Sequence, residues 1–225
     1  MKTLRSIILV AGKDLRSEIR SGQNITTVLF FALVVLIIFH FAFDLADVDF
    51  ITVGPGLIWV AISFAGMLSL QSSFAREGER DGLAGLLLSC ADPTAIYLGK
   101  ASSALVSLLV AEAFFLPAAA LLFNTDLRPL ILPLATVVVI HTAGYAAVGT
   151  LFSAMTLKVR RGHLLLPVLQ LTVTVPLLMS AVKATAGVLT TGTLAGAGIW
   201  LRVGIVYDII FLVAASLLFE PLIED

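Results

Sequence analysis

Residues 25–43 read ITTVLFFALVVLIIFHFAF, a run without one charged side chain. A helix rises 1.5 Å per residue, so about 20 such residues cross the hydrocarbon core of a bilayer, which is about 30 Å thick. We therefore predict a transmembrane helix here. The stretch decides the fold class, because an uncharged apolar run of this length is typical of a membrane span.

The composition of the whole chain agrees with this interpretation. Of the 225 residues, 59% are hydrophobic and only 13% are charged, and the mean hydropathy is +1.06. Soluble proteins carry about a quarter charged residues. Five further apolar runs follow the first: Val53–Ala75, Ala101–Phe123, Leu130–Leu157, Leu164–Ala186 and Trp200–Phe219. We predict an all-α integral membrane protein with six transmembrane helices.

Residues 1–24 precede the first span and have a helical pattern of their own. Apolar residues recur every three or four positions, with basic residues around them. The apolar positions are Leu4, Ile7, Ile8, Ala11, Leu15 and Ile19. A basic amphipathic helix lies in the membrane surface, among lipid phosphates; the alternative is a tail helix packed on protein. The predicted organisation is therefore an interfacial helix (1–24), a permease domain (25–219) and a cytoplasmic tail (220–225).

The distribution of basic residues predicts the orientation. Lysine and arginine are enriched in cytoplasmic segments of membrane proteins. With the N-terminus inside, 11 of the 14 basic residues fall in cytoplasmic segments. The others, Arg128, Lys183 and Arg202, lie at the outer ends of spans. Both termini are predicted to be cytoplasmic.

The sequence contains no recognisable catalytic motif. Gly99-Lys100-Ala101 lacks the upstream glycine and the Ser/Thr of a phosphate-binding loop. No metalloprotease motif, nucleophilic triad or paired carboxylates are evident, and the single cysteine, Cys90, excludes an intrachain disulfide or a cysteine cluster. We expect a non-enzymatic protein with no bound cofactor, no metal and no nucleic-acid partner. Energy for any uphill transport would come from an ion gradient or a partner ATPase.

Three residues inside the predicted spans could contact a substrate. Glu112 and His141 lie in the middle of the third and fourth spans, and His40 lies near the outer end of the first. Ionisable residues within a bilayer often mark a substrate or ion path. Glu112 could equally be a hydrogen-bonded contact between helices, and His141 could ligate iron or form such a contact. The sequence leaves these alternatives open.

Two further features predict local structure. Gly54-Pro55-Gly56, at the start of the second span, predicts a break in the helix near the membrane edge. Trp59 and Trp200 lie near span ends, where tryptophan is enriched at the membrane–water interface.

The longest charged interval lies between the second and third spans. Residues 74–100 read FAREGERDGLAGLLLSCADPTAIYLGK. Charged residues lead into leucines, and a turn at Asp92-Pro93 precedes the next span. The pattern predicts a short helix across the cytoplasmic face, with charge on one side and leucines on the other. Such a helix could act as a lever for a cytosolic partner or could merely cover the bundle.

Three motifs carry a resemblance to a known family. They are GPGLIWVA (54–61), the FARE…DGL-x-x-LLLS…AIYLGK pattern (74–100) and RRGHLLLPVLQLTVTVPLLMSAVKA (160–184). In this order and spacing they resemble the CcmB family, the permeases of the ABC-type haem exporter of cytochrome c maturation. The similarity in length, span count and motif order covers essentially the whole chain.

The resemblance implies a fold and a set of partners. The fold would be that of ABC-2 (type V exporter-like) permeases, with a coupling helix at about 77–88 that docks on a cytosolic ABC ATPase. The coupling residues would be Glu77, Glu79, Arg80, Asp81, Leu83, Leu86 and Leu87. It further implies a permease homodimer in the inner membrane, other cytochrome c maturation proteins as partners, ATP used by the partner subunit, and haem as the possible transported substrate. Members typically have an acid where this chain has Ala84, and often a proline near Cys90.

Other functions fit the sequence as well. One is an ABC-2 permease for a lipid, a polysaccharide or another substrate. A second is an ion-coupled secondary transporter that uses Glu112. A third is a non-transporting membrane scaffold for an assembly complex.

Overall fold

The computed structural model describes residues 2–46, 49–78, 92–158 and 162–224. These residues form α-helices joined by short connections and two 3-10 turns, Arg128–Leu130 and Leu194–Ala197. The helices are α1 (Lys2–Ser21), α2 (Gln23–Ala46), α3 (Phe50–Gly78), α4 (Pro93–Leu122), α5 (Ile131–Lys158), α6 (Gly162–Thr191) and α7 (Gly198–Glu224).

Helices α2 to α7 confirm the six predicted spans. Each contains an apolar stretch of at least 18 residues, long enough to cross a membrane. The predicted fold class is therefore correct for the described residues. The third span, α4, begins at Pro93 and not at the predicted Ala101, because Asp92 caps the helix. The backbone N–H of Thr94 donates to Asp92 Oδ1 at 3.0 Å. Lys100 consequently lies within α4.

The predicted break at Gly54-Pro55-Gly56 is wrong, since α3 runs without interruption from Phe50 to Gly78. Pro55 lies only one and a half turns into the helix, so the main loss is one hydrogen bond to a carbonyl near the helix end. The start of α3 is also held by Asp49, whose Oδ1 accepts from the N–H of Ile51 at 3.2 Å. A proline this close to a capped N-terminus does not end the helix.

Helix α5 lies at the centre of the bundle and contacts α3, α4, α6 and α7. Helices α2 and α7 lie outside and leave most of their apolar side chains exposed, as expected of helices that face lipid. The main apolar core joins α3, α4, α5 and α6 through buried residues that include Leu57, Ile58, Phe115, Leu134 and Val137.

Trp59 lies in this core and not at the membrane interface, so its predicted place in an aromatic belt is wrong. The side chain is buried, and its indole Nε1–H donates to Thr185 Oγ1 on α6 at 2.8 Å. A buried indole is stable in hydrocarbon because its one donor has found an acceptor. Trp200, near the start of α7, is partly exposed, as predicted for a span end.

The predicted N-terminal helix is confirmed as α1, which ends at Ser21 before Gly22 (φ +59°). It packs against the first turns of α4, where Gly99 permits the close approach. A Cβ on Gly99 would lie 2.7 Å from the Cβ of Val10 and 3.0 Å from the carbonyl oxygen of Ile7. The two helices can therefore meet at this point only if residue 99 has no side chain.

This contact gives a stability prediction. Gly99→Ala should lower the free energy of unfolding by about 1–3 kcal/mol, the usual cost of overpacking. Gly12→Ala on α1 is the matched control, because a Cβ there meets no atom within 4 Å and alanine favours a helix. Thermal unfolding of the purified protein in detergent would measure both. Equal melting temperatures for the two variants would contradict the packing of α1 on α4.

Candidate functional site

Glu112 of α4 points into the bundle toward α5. It is only 3% exposed, and its Oε1 accepts a hydrogen bond from Thr142 Oγ1 at 2.9 Å. Oε2 has no hydrogen-bond partner among the residues that the structure describes. The carboxyl group borders a narrow crevice of about 20 Å³ between α2, α3 and α4, which is room for about one water. Glu112 thus forms the contact between helices that the sequence left open.

His141 of α5 is fully buried, and both of its ring nitrogens are in hydrogen-bond contact. Nδ1 lies 2.8 Å from the carbonyl oxygen of Val137, and Nε2 lies 3.0 Å from Ser180 Oγ on α6. Because a carbonyl only accepts, Nδ1 carries the proton of a neutral ring. The Ser180 hydroxyl also lies 2.7 Å from the carbonyl of Trp200, so it can donate there or to Nε2. Nδ1 is thereby engaged within α5, and Nε2 is buried against Ser180. A role of His141 as an iron ligand stays a prediction.

Asp208 of α7 is an intramembrane acid that the sequence analysis missed. Its Oδ1 is buried beside Gly144 of α5 and has no hydrogen-bond partner among the described residues. The sequence did indicate this acid, because Asp208 is the one charged residue between Val203 and Phe219 in the predicted sixth span. The criterion that selected Glu112 would have selected Asp208 too. Two acids, each with a buried oxygen that has no partner among the described residues, therefore lie against α5, one on α4 and one on α7.

His40 lies near the end of α2 and is partly exposed. Its ring packs edge-on against Phe123 at a centroid distance of 5.3 Å, and Phe123 stacks on Phe50 at 4.6 Å. No hydrogen bond joins the ring nitrogens to another described residue. Of the two histidines whose side chains are described, His40 is the one whose ring nitrogens have no described hydrogen-bond partner.

The three residues of the predicted substrate path do not form one site. Glu112 and His141 lie close together, because Thr142 follows His141 in α5. His40 contacts Phe123, which is 11 residues beyond Glu112 along the chain, a rise of about 16 Å along a helix. Their role in transport stays a prediction.

A cleft of about 750 Å³ lies where α4 turns into α5. Its size is in the range of small-molecule sites, and its lining is mostly apolar, including Leu116, Pro117, Leu121 and Ile131, with Arg128 and Asp126 among the polar residues. The described residues that line it include no histidine, cysteine or methionine that could ligate iron.

Two polar contacts hold α1 to α4. Lys100, only 2% exposed, pairs with Asp14 (Nζ to Oδ2, 3.3 Å), and the hydroxyl of Ser107 donates to Glu18 Oε2 at 2.8 Å. Breaking a buried ion pair by removing one partner is costly, at about 3–5 kcal/mol. These contacts fix α1 beside the segment that follows residues 79–91.

Most of the predicted coupling residues fall outside the described residues. These are Glu79, Arg80, Asp81, Leu83, Leu86 and Leu87, together with the departures Ala84 and Cys90. Of Glu77, the structure describes only the helical backbone, in the last turn of α3. The coupling helix itself therefore stays a prediction.

The polar residues of the described part of the chain do not group into a metal centre: no cluster of three or more His, Cys, Asp or Glu side chains occurs there. What distinguishes the bundle is its six apolar helices and the polar contacts around α5.

Comparison with known proteins decides the family. Residues 5–218 match the family model described as CcmB protein, which is nearly the whole chain. The chain belongs to the CcmB family. The resemblance predicted from the three sequence motifs is thus confirmed.

Two curated relatives carry the name heme exporter protein B. The protein of Rhodobacter capsulatus is 30% identical over 168 residues, which cover 74% of this chain and 76% of that protein. The protein of Bradyrhizobium diazoefficiens is 29% identical over 185 residues, which cover 79% of each. The aligned region covers similar shares of this chain and of each relative, so the two relatives are similar to this chain in length.

The close approach of α5 and α7 gives a second prediction. A Cβ on Gly144 would overlap Asp208 Oδ1, so Gly144→Ala should destabilise the protein by about 1–3 kcal/mol. Adding Asp208→Ala should recover most of the loss, since it removes the overlapping carboxylate. Gly56→Ala, where a Cβ meets nothing within 4 Å, is the control. A double variant no more stable than Gly144→Ala would show that Asp208 does not lie against this glycine.

Proposed function

We propose that this chain is the membrane permease subunit of an ABC-type haem exporter of cytochrome c biogenesis. The observation that carries the proposal is the CcmB match over residues 5–218, together with relatives named heme exporter protein B that align with about three quarters of the chain. In this proposal the chain has no catalytic site, and a separate cytosolic subunit hydrolyses ATP. ATP hydrolysis by that subunit drives either the transport of haem or the release of the haem chaperone outside the membrane.

The geometry around residues 79–91 supports a docking role for that segment. The predicted second span ends at Ala75, and the helix continues to Gly78. Three further residues add about 4.5 Å of rise, so the backbone of α3 extends beyond the apolar run. On the other side, α4 begins at Pro93 and is bound to α1 through Lys100. A lever at 77–88 would thus be attached to two helices, one of which is tied to α1.

For the substrate path we propose that His40 is the first residue to test for contact with haem. Its position beside Phe123 offers an aromatic face and free ring nitrogens together. Glu112 and His141 come after it in this proposal, because Glu112 Oε1 accepts from Thr142, the His141 ring contacts Val137 and Ser180, and the crevice at Glu112 is far too small for a cargo.

The proposed assembly is a permease homodimer with two ATPase subunits, in contact with other cytochrome c maturation proteins of the inner membrane. Both termini are cytoplasmic in this arrangement. The apolar outer faces of α2 and α7 supply surfaces that lipid or a second permease subunit could cover. No cofactor is resident in the chain, and ATP acts through the partner.

The orientation can be tested by cysteine labelling. In a Cys90→Ser background, a cysteine at Thr193, in the exposed turn between α6 and α7, should react with a membrane-impermeant maleimide on spheroplasts. A cysteine at Ser17 on α1 should react only after the membrane is opened. Labelling of Ser17→Cys on intact spheroplasts, with protection of Thr193→Cys, would reverse the proposed topology.

The docking of an ATPase can be tested by charge reversal. Glu79→Lys with Asp81→Lys should lower co-purification with a co-expressed ABC-type ATPase subunit by at least tenfold, because like charges at an interface repel. The stimulated ATP hydrolysis should fall in parallel.

The control for this experiment is Asp126→Lys, an exposed acid in the turn between α4 and α5 on the opposite side of the membrane. It should leave association unchanged. Normal association of the Glu79/Asp81 variant would show that the segment is not the docking site.

A further inference from the structure

Helix α1 presents three different faces. The face toward α4 contains Val10, Asp14 and Glu18, which fall within about 80° of one another at 100° per residue. Val10 packs against Gly99, Asp14 pairs with Lys100, and Glu18 accepts from Ser107. These residues are in contact with the bundle and are not presented outward.

Both acids of α1 therefore face the protein. Among the basic residues, Lys13 also pairs with Asp14 at 3.1 Å. The other basic residues of α1 whose side chains are described are Arg5, Arg16 and Arg20. All three are exposed and lie within about 60° of one another around the helix axis. Their guanidinium groups form no ion pair with another described residue. The outward strip of α1, defined by these three arginines, is thus positive without a compensating acid.

An apolar strip lies between the arginines and the protein. Leu4, Ile8 and Ile19 are 64%, 64% and 75% exposed and share a face of about 60°. Leu9, also exposed, lies among the arginines. Aliphatic side chains this exposed are stable when they rest in the acyl region of a bilayer. Arginines on the neighbouring strip then lie at the depth of the lipid phosphates.

We propose that the outward strip of α1 is a binding surface for the headgroups of anionic phospholipids. Arginine binds phosphate through two parallel hydrogen bonds, which suits it to this ligand. The apolar strip favours lipid over a cytosolic protein as the occupant, because Leu4, Ile8 and Ile19 fit the acyl region directly beside the arginines. Each basic residue near an anionic surface strengthens binding about fivefold.

The experiment measures lipid retained by the purified full-length chain. The detergent-solubilised protein is titrated with phosphatidylglycerol or with phosphatidylcholine of the same acyl chains, and bound lipid is counted by native mass spectrometry. The wild type should prefer phosphatidylglycerol by at least tenfold. The triple variant Arg5→Gln, Arg16→Gln, Arg20→Gln should lose this preference, whereas the triple Arg→Lys variant should retain most of it.

Arg128→Gln is the matched control, since Arg128 is exposed but lies at the α4–α5 turn. Its lipid preference should equal that of the wild type. Equal binding of the two lipids by the wild type, or an unchanged preference in the triple Gln variant, overturns the proposal. So does a triple Gln variant that keeps its preference and loses a co-expressed ATPase, which would assign the strip to a protein partner. The lipid titration uses the permease alone, so its result is independent of the proposed function.

Discussion

Hydrocarbon supplies no hydrogen-bond partners, so a buried polar side chain in a membrane bundle bonds a carbonyl of its own helix or depends on another helix. Here that constraint centres on α5. Thr142 reaches α4, His141 reaches Ser180 on α6, and the hydroxyl of Tyr145 donates to the carbonyl of Ser63 on α3. The orientation of α5 is fixed by contacts on several sides, and the surrounding helices take their places from it.

Close approach of backbones makes these contacts possible. Gly144 and Gly204 lie where α5 and α7 meet, and a Cβ on Gly204 would lie 2.9 Å from the Nε2 of His141. Small residues let membrane helices pack tightly enough for polar groups to pair. The same arrangement brings Thr142 to Glu112 Oε1 and Ser180 to His141, and the role of these two residues in transport stays a prediction.

Hydropathy predicted the six spans and the approximate ends of each, because bilayer thickness dictates helix length whatever the packing. It did not predict that Trp59 is buried. The indole donates to Thr185 of α6, and hydropathy does not indicate which helix packs beside α3. Hydropathy did not predict the neighbours of Glu112 either, because its contact with Thr142 also joins two helices. The burial of Asp208 Oδ1, without a partner in the described part of the chain, depends on how α7 packs against α5, although the residue itself was visible in the sequence.

The ion pair between Asp14 and Lys100 joins residues 86 positions apart. During synthesis, α1 leaves the ribosome long before its cationic partner exists, and α2 and α3 must enter the membrane in the meantime. Until α4 is inserted, Asp14 lacks Lys100 and keeps the ion pair with Lys13 of its own helix, and Glu18 lacks the hydroxyl of Ser107. The N-terminal helix therefore reaches its final position late in biogenesis, and a chain truncated before the fourth helix would lack the contacts that hold it there.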